Sequence, residues 1–131
     1  MNPLAAQPGG VPGGNLLAGV DDDLLDATQA HLQRLLRFVT VNPPGNEAPA
    51  IAYVADVLRR EGLQVAVLES APGRANLVCR LAGNDRQGPL LLASHIDVVE
   101  VERASWARDP FAGEIADGCI WGRGEIGRAH V

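Results

Sequence analysis

The chain of 131 residues reads as an α/β protein. Three observations predict this class. Two stretches carry apolar residues at helical spacing, and both lie in the first half of the chain. Short apolar runs follow, parted by loops rich in Gly, Pro, Asn and Asp. One of these runs, Leu90-Leu91-Leu92-Ala93-Ser94, is apolar without alternation. That pattern predicts a strand covered on both faces, as in the middle of a layered α/β sheet.

Residues 1–20, MNPLAAQPGGVPGGNLLAGV, are Gly/Pro-rich and are expected to form a disordered lead-in. They have no basic opening and are interrupted by Pro and Gly, which makes a poor signal peptide. Asp21, Asp22 and Asp23 stand where a first helix should begin, since acidic groups offset the exposed N–H groups of a first turn. Leu24, Leu25, Leu32, Leu35, Leu36 and Val39 form its apolar stripe. His31 lies on this helix and is expected to be structural rather than a ligand. Thr40-Val41-Asn42-Pro43-Pro44-Gly45 ends the helix, because two prolines cannot continue it and Asn42 before proline is pushed to extended geometry. A second helix is predicted over about 47–61, with Ile51, Val54, Ala55 and Leu58 as its buried face and Gly62 as its stop. Strands are predicted over 63–69, 76–81 and 89–94, with SAPGRA and AGNDRQG as the loops between them. GEIADGCIWG reads as a hairpin that turns at Asp117-Gly118.

Composition narrows the function classes. The net charge is −5 and the pI about 5.0, which argues against a nucleic-acid partner that would need a basic face. All eleven basic residues are arginine, which is read as a trace of GC-rich coding. Cys79 and Cys119 form no CxxC pair and are expected to be small apolar residues of the interior. No apolar run approaches the ~18 residues of a membrane span, so no membrane partner is expected and a cytoplasmic location is the default.

Candidate chemistry gathers at His95 and Asp97. They directly follow the predicted buried strand, and function collects at the carboxyl ends of strands in open α/β sheets. On extended backbone, residues two apart point to the same side, so the pair can approach each other while Ile96 faces away toward the core. A metal-binding imidazole commonly donates its second ring N–H to a carboxylate, and His-x-Asp supplies such a pair.

LLLASHIDVV, then SWARDPF, then GEIADGCIWGRG resembles the M20 family of metallopeptidases and amidohydrolases. That family includes acetylornithine deacetylase, succinyl-diaminopimelate desuccinylase, aminoacylase and carboxypeptidase G2-like enzymes. TVNPPGNE, Gly62-Leu63 and Arg74-Ala75-Asn76-Leu77-Val78 agree with the family in the same order, so the resemblance runs from about residue 24 to 124. It implies the N-terminal part of a zinc-peptidase-like catalytic domain, helices packed on a mixed sheet, incomplete within this sequence. It further implies a metal-dependent hydrolase that cleaves an amide bond of a peptide or N-acyl amino acid. A complete site of the family holds two Zn2+ ions, with Co2+ or Mn2+ able to substitute, and the parent enzyme can be a homodimer. Carried over residue by residue, His95 is a metal ligand and Asp97 the catalytic-site carboxylate that orients its imidazole. Trp106, Asp109, Pro110 and Phe111 match a loop beside the site and are expected to shape it without touching substrate. Gly122, Arg123 and Gly124 match the turn toward the next ligand, with Arg123 as a supporting ion-pair partner.

The family's next residues resemble Ala-x-Asp-Met-Lys-Gly, whose aspartate bridges the metals; here Glu125-Ile126-Gly127-Arg128-Ala129-His130-Val131 stand instead. One histidine and one aspartate fall short of the three protein ligands of a catalytic zinc. The segment 125–131 is expected to be a translated sequencing-adapter tail, because its back-translation with a stop can read GAGATCGGAAGAGCACACGTCTGA. His130 is discounted on the same ground. Gly122, Gly124 and Gly127 satisfy G-x-G-x-x-G, but a dinucleotide site requires a helix to open at that turn. Two alternatives to the hydrolase are therefore a non-catalytic α/β interaction module and a nucleotide-binding α/β protein.

Overall fold

A computed structural model describes residues 21–83 and 88–124. The lead-in expected over 1–20 and the tail expected over 125–131 lie outside them. Two helices are followed by two small antiparallel sheets, an α/β content.

Helix α1 spans Asp22–Leu36. Asp21 caps it: its carboxylate accepts from the Asp23 amide at 3.0 Å, with Asp22 and Asp23 in the first turn. Of the predicted apolar stripe only Leu36 is buried, at 5% exposure, whereas Leu24 and Val39 are more than half exposed. Helix α2 spans Ala48–Arg60 and buries Ala50, Ile51 and Ala55. Its first amide is satisfied from outside, since Ala48 N donates to Gly73 O at 3.0 Å. It ends in a Schellman motif, with Gly62 N donating to Arg59 O and Leu63 N to Leu58 O, both at 3.0 Å. The helices are joined by His31, whose Nδ1 lies 2.6 Å from the Tyr53 hydroxyl, and by Arg34 stacked on Phe38 and Tyr53. His31 is thus engaged between the helices.

Strands β1 (Val65–Ala71) and β2 (Arg74–Cys79) form an antiparallel hairpin against which α2 packs. The predicted SAPGRA loop is shorter in the structure, because Ser70, Ala71, Arg74 and Ala75 join the strands and leave Pro72-Gly73 as the turn. Strands β3 (Glu114–Ala116) and β4 (Cys119–Trp121) form the expected second hairpin. Its turn residues Asp117 and Gly118 have φ of 54° and 74°, the left-handed pair that a two-residue loop requires. Cys79 is half-buried and Cys119 exposed, so neither is the interior residue that was expected. No helix among the described residues is long and apolar enough to cross a membrane.

The third predicted strand is corrected. Residues 89–94 join no ladder among the described residues, and Leu90, Leu91 and Leu92 are 83%, 84% and 84% exposed. Strand character requires a neighbour with which to exchange backbone hydrogen bonds, and neither hairpin reaches this segment. Among the described residues the strands form two separate antiparallel pairs, and the expected mixed sheet is not assembled within them. One parallel contact does occur, the isolated bridge between Val41 and Val98.

Candidate metal-ligand site

The bridge between Val41 and Val98 sets the site. Asn42 N donates to Val98 O at 2.9 Å, and Val98 N donates to Thr40 O at 3.1 Å. Thr40, 2% exposed, adds a third tie from its Oγ1 to Ile96 O at 2.8 Å. The segment after α1, extended because Pro43 follows Asn42, therefore lies along 96–98. The bonds from Asn42 to Pro43 and from Pro43 to Pro44 are both cis.

On this support His95 and Asp97 meet as their spacing predicts. His95 Nδ1 lies 2.9 Å from Asp97 Oδ1 and 2.9 Å from the Asp97 carbonyl oxygen. A carboxylate and a carbonyl only accept, so Nδ1 carries the proton and donates. In the neutral ring the lone pair then resides on Nε2, the nitrogen suited to a metal ion. Ile96 is only half-buried and shares a cleft with its two neighbours, so it does not turn into the core as the alternation had suggested.

Asn42 was missed in the sequence. Its Nδ2 donates to Asp97 Oδ2 at 3.0 Å, so each carboxylate oxygen of Asp97 has its own donor. Asn42's hydrogen bond is foremost in holding the Asp97 carboxyl below the usual carboxylate range, aided by the charge and hydrogen bond of His95; partial burial pulls the other way. Proline at position 43 signalled extended geometry at Asn42, but no local pattern links residue 42 to residue 97.

The surrounding loop residues take mainly packing roles. Pro110 is fully buried and Phe111 is 9% exposed. Asp109 Oδ1 accepts from the Phe111 amide at 2.9 Å. Arg123 lies over the Trp106 ring at 5.1 Å and donates to the Glu100 carbonyl, and no ion pair joins it among the described residues. The 122–124 turn is fitted to the site's support. A Cβ at Gly124 would stand 2.9 Å from Val98 Cγ1, and one at Gly122 would stand 2.7 Å from Leu36 Cδ2. The third glycine of the nucleotide-like pattern, Gly127, lies outside the described residues, as does His130.

A cleft of about 460 Å³ opens beside the pair, with Glu47, Arg74, Asn76 and Ser94 among its walls. As donors, His95 and Asp97 fit one corner of a metal site, a tautomer-defined imidazole with its orienting carboxylate. No group of three or more His, Cys, Asp and Glu side chains able to hold a metal ion occurs among the described residues. Within them the donor set therefore falls short of the three or more protein ligands that a catalytic zinc needs.

Residues 91–129 match the family model Peptidase family M20/M25/M40. Over 94 residues the chain is 38% identical to Aminoacylase-1 of Sus scrofa, covering 70% of this chain and 23% of that protein. It is 38% identical over 104 residues to a succinyl-diaminopimelate desuccinylase of Methylobacterium radiotolerans, covering 76% of this chain and 25% of that enzyme. Human Aminoacylase-1 is 36% identical over 94 residues. The chain is thus similar to the M20 peptidase family over residues 91–129, and it spans about a quarter of the length of the curated relatives that it matches.

Proposed function

We propose that residues 21–124 are the N-terminal part of the zinc-peptidase-like catalytic domain of a metal-dependent hydrolase that cleaves an amide bond in a peptide or an N-acyl amino acid. The observation that carries this reading is the His95–Asp97 pair, 2.9 Å apart, within the segment that matches the family. The relatives' names, aminoacylase and succinyl-diaminopimelate desuccinylase, support the substrate class. When bound, zinc, or cobalt or manganese in its place, would polarise the amide carbonyl and acidify a water toward neutrality. His95 would hold a metal through Nε2, one of two in a complete site of the family, and Asp97 keeps Nδ1 protonated so that Nε2 presents its lone pair. The remaining ligands and the group that accepts the water's proton come from other parts of the whole protein, so residues 21–124 alone hydrolyse nothing. The whole enzyme is read as cytoplasmic and homodimeric.

The test uses the full-length protein that carries residues 21–124. Hydrolysis of N-acyl amino acids and N-succinyl-diaminopimelate is measured before and after chelation and after restoration with Zn2+, Co2+ or Mn2+. Restored amide hydrolysis that His95→Ala abolishes is expected, together with a loss of about 10–100-fold in metal affinity or activity for Asp97→Asn. Hydrolysis that survives both chelation and His95→Ala would sink the reading.

A further inference from the structure

The Asp97 carboxylate is held from two sides. Oδ1 accepts from His95 Nδ1 at 2.9 Å, and Oδ2 accepts from Asn42 Nδ2 at 3.0 Å. Asn42 is itself anchored, since its amide N donates to Val98 O at 2.9 Å, one residue beyond Asp97. Its side chain therefore leaves a backbone already docked on the segment that it serves. We propose that Asn42 is a positioning residue: by fixing the rotation of the Asp97 carboxylate, it holds His95 in the Nδ1–H tautomer and so aims Nε2. The proposal deepens the reading of His95 as a metal ligand and rests on it for its functional meaning.

The chemistry of the three groups supports the assignment. An aspartate carboxylate turns about χ2 with a broad profile, so a single imidazole contact leaves its plane free to rock. A second donor on the other oxygen removes that freedom. An amide NH2 can only donate, so it cannot compete with Asp97 for the imidazole proton. An aspartate at position 42 would have almost the same shape and no donor. The side chain thus offers a donor where its near-isostere would bring a second negative charge.

The test reads the tautomer directly, on the full 131-residue chain without metal. Long-range 1H–15N correlation spectra at about pH 8.5, two units above an ordinary imidazole, separate protonated from unprotonated ring nitrogens. His95→Gln assigns the His95 signals by their loss. His31, held against Tyr53 between the helices, reports in the same spectrum whether the fold persists. In the unsubstituted chain, His95 is expected as the Nδ1–H form. In Asn42→Ala the His95 nitrogens should move toward the averaged positions of two exchanging tautomers, while the His31 nitrogens stay in place. If Asn42→Ala also disturbs His31, the uncharged and similarly shaped Asn42→Leu decides, and it should show the same movement at His95. The proposal is overturned if His95 is already a tautomer mixture in the unsubstituted chain. It is equally overturned if His95 is unmoved in a folded variant. Since no metal or substrate takes part, this outcome is independent of whether the whole protein hydrolyses amides.

Discussion

Arg74 Nε lies 2.9 Å from Glu47 Oε2 and joins the start of β2 to the start of α2. The pair is unequal, because the Glu47 side chain is 9% exposed and that of Arg74 38%. Neither Glu47 oxygen accepts an aligned hydrogen bond among the described residues, so proximity to the guanidinium is what balances the buried charge. Arg74 also donates from Nη1 to the Pro44 carbonyl at 3.2 Å, which ties the turn between the helices into the same contact.

Removing Arg74 therefore strands a buried carboxylate. Arg74→Ala is expected to destabilise the chain by about 2 kcal/mol, below the usual cost of breaking a fully buried pair because the arginine is more than a third exposed. Adding Glu47→Gln should return most of that loss. Urea unfolding of the two single variants and the double variant measures the difference. Additive effects of the two substitutions would show that the contact carries no coupling.

Gly45 stands at the edge of this pair with φ of +86°. A Cβ there would lie 2.7 Å from Arg74 Nε and 2.7 Å from Glu47 Oε1. Gly45→Ala combines left-handed strain of about 1–2 kcal/mol with displacement of the ion pair. It should lower the thermal midpoint by more than the strain alone, and it should lower it less in an Arg74→Ala background, where the clash with the guanidinium is gone.

Asp97 gives the chain a defined acid response. Its folded pKa is depressed, foremost by Asn42, so its contribution to stability is present above the unfolded value of about 3.9 and is lost as pH falls through the lower folded value. Carboxyl 13C titration of the metal-free chain should find Asp97 below the ordinary carboxylate range. Asn42→Ala should move it upward. An Asp97 midpoint at or above the ordinary value in the unsubstituted chain would contradict the hydrogen bonding described.

The exposed run Leu90-Leu91-Leu92 makes a fourth expectation. An exposed apolar run with no ladder partner among the described residues is a template for association with another chain. The 131-residue chain should associate in a concentration-dependent way, and Leu91→Glu should reduce that association without altering helix content. Sedimentation velocity and circular dichroism on both forms provide the check. Equal association of the two would place the sticky surface elsewhere.

What the sequence disclosed follows the range of the interactions. The Schellman end at Gly62 and the hairpin at Asp117-Gly118 were legible because a few neighbouring residues determine them. The His95–Asp97 contact was legible for the same reason, since two positions along extended backbone suffice to bring them together. Asn42 was not, because its bond to Asp97 spans 55 positions and depends on the bridge between Val41 and Val98. The run at 90–94 misled in the opposite direction. Its composition records a preference for being covered, and covering depends on neighbours that neither hairpin among the described residues provides. The strand limits drifted similarly at Ser70 and Ala75, where pairing extended into residues that looked like loop.

The bridge between residues 41 and 98 has a kinetic meaning as well. The amide hydrogens of Asn42 and Val98 are each held by a carbonyl on the opposite segment, so releasing either one loosens the other. They should exchange with solvent as a cooperative unit whose opening also unseats Asp97. Closing so long a loop carries its entropic penalty once, at the moment the bridge forms. A divalent ion captured by His95 would then slow deuterium uptake at residue 42, in the connection between two helices that need not touch the ion. The turn after α1 becomes a remote gauge of occupancy at His95.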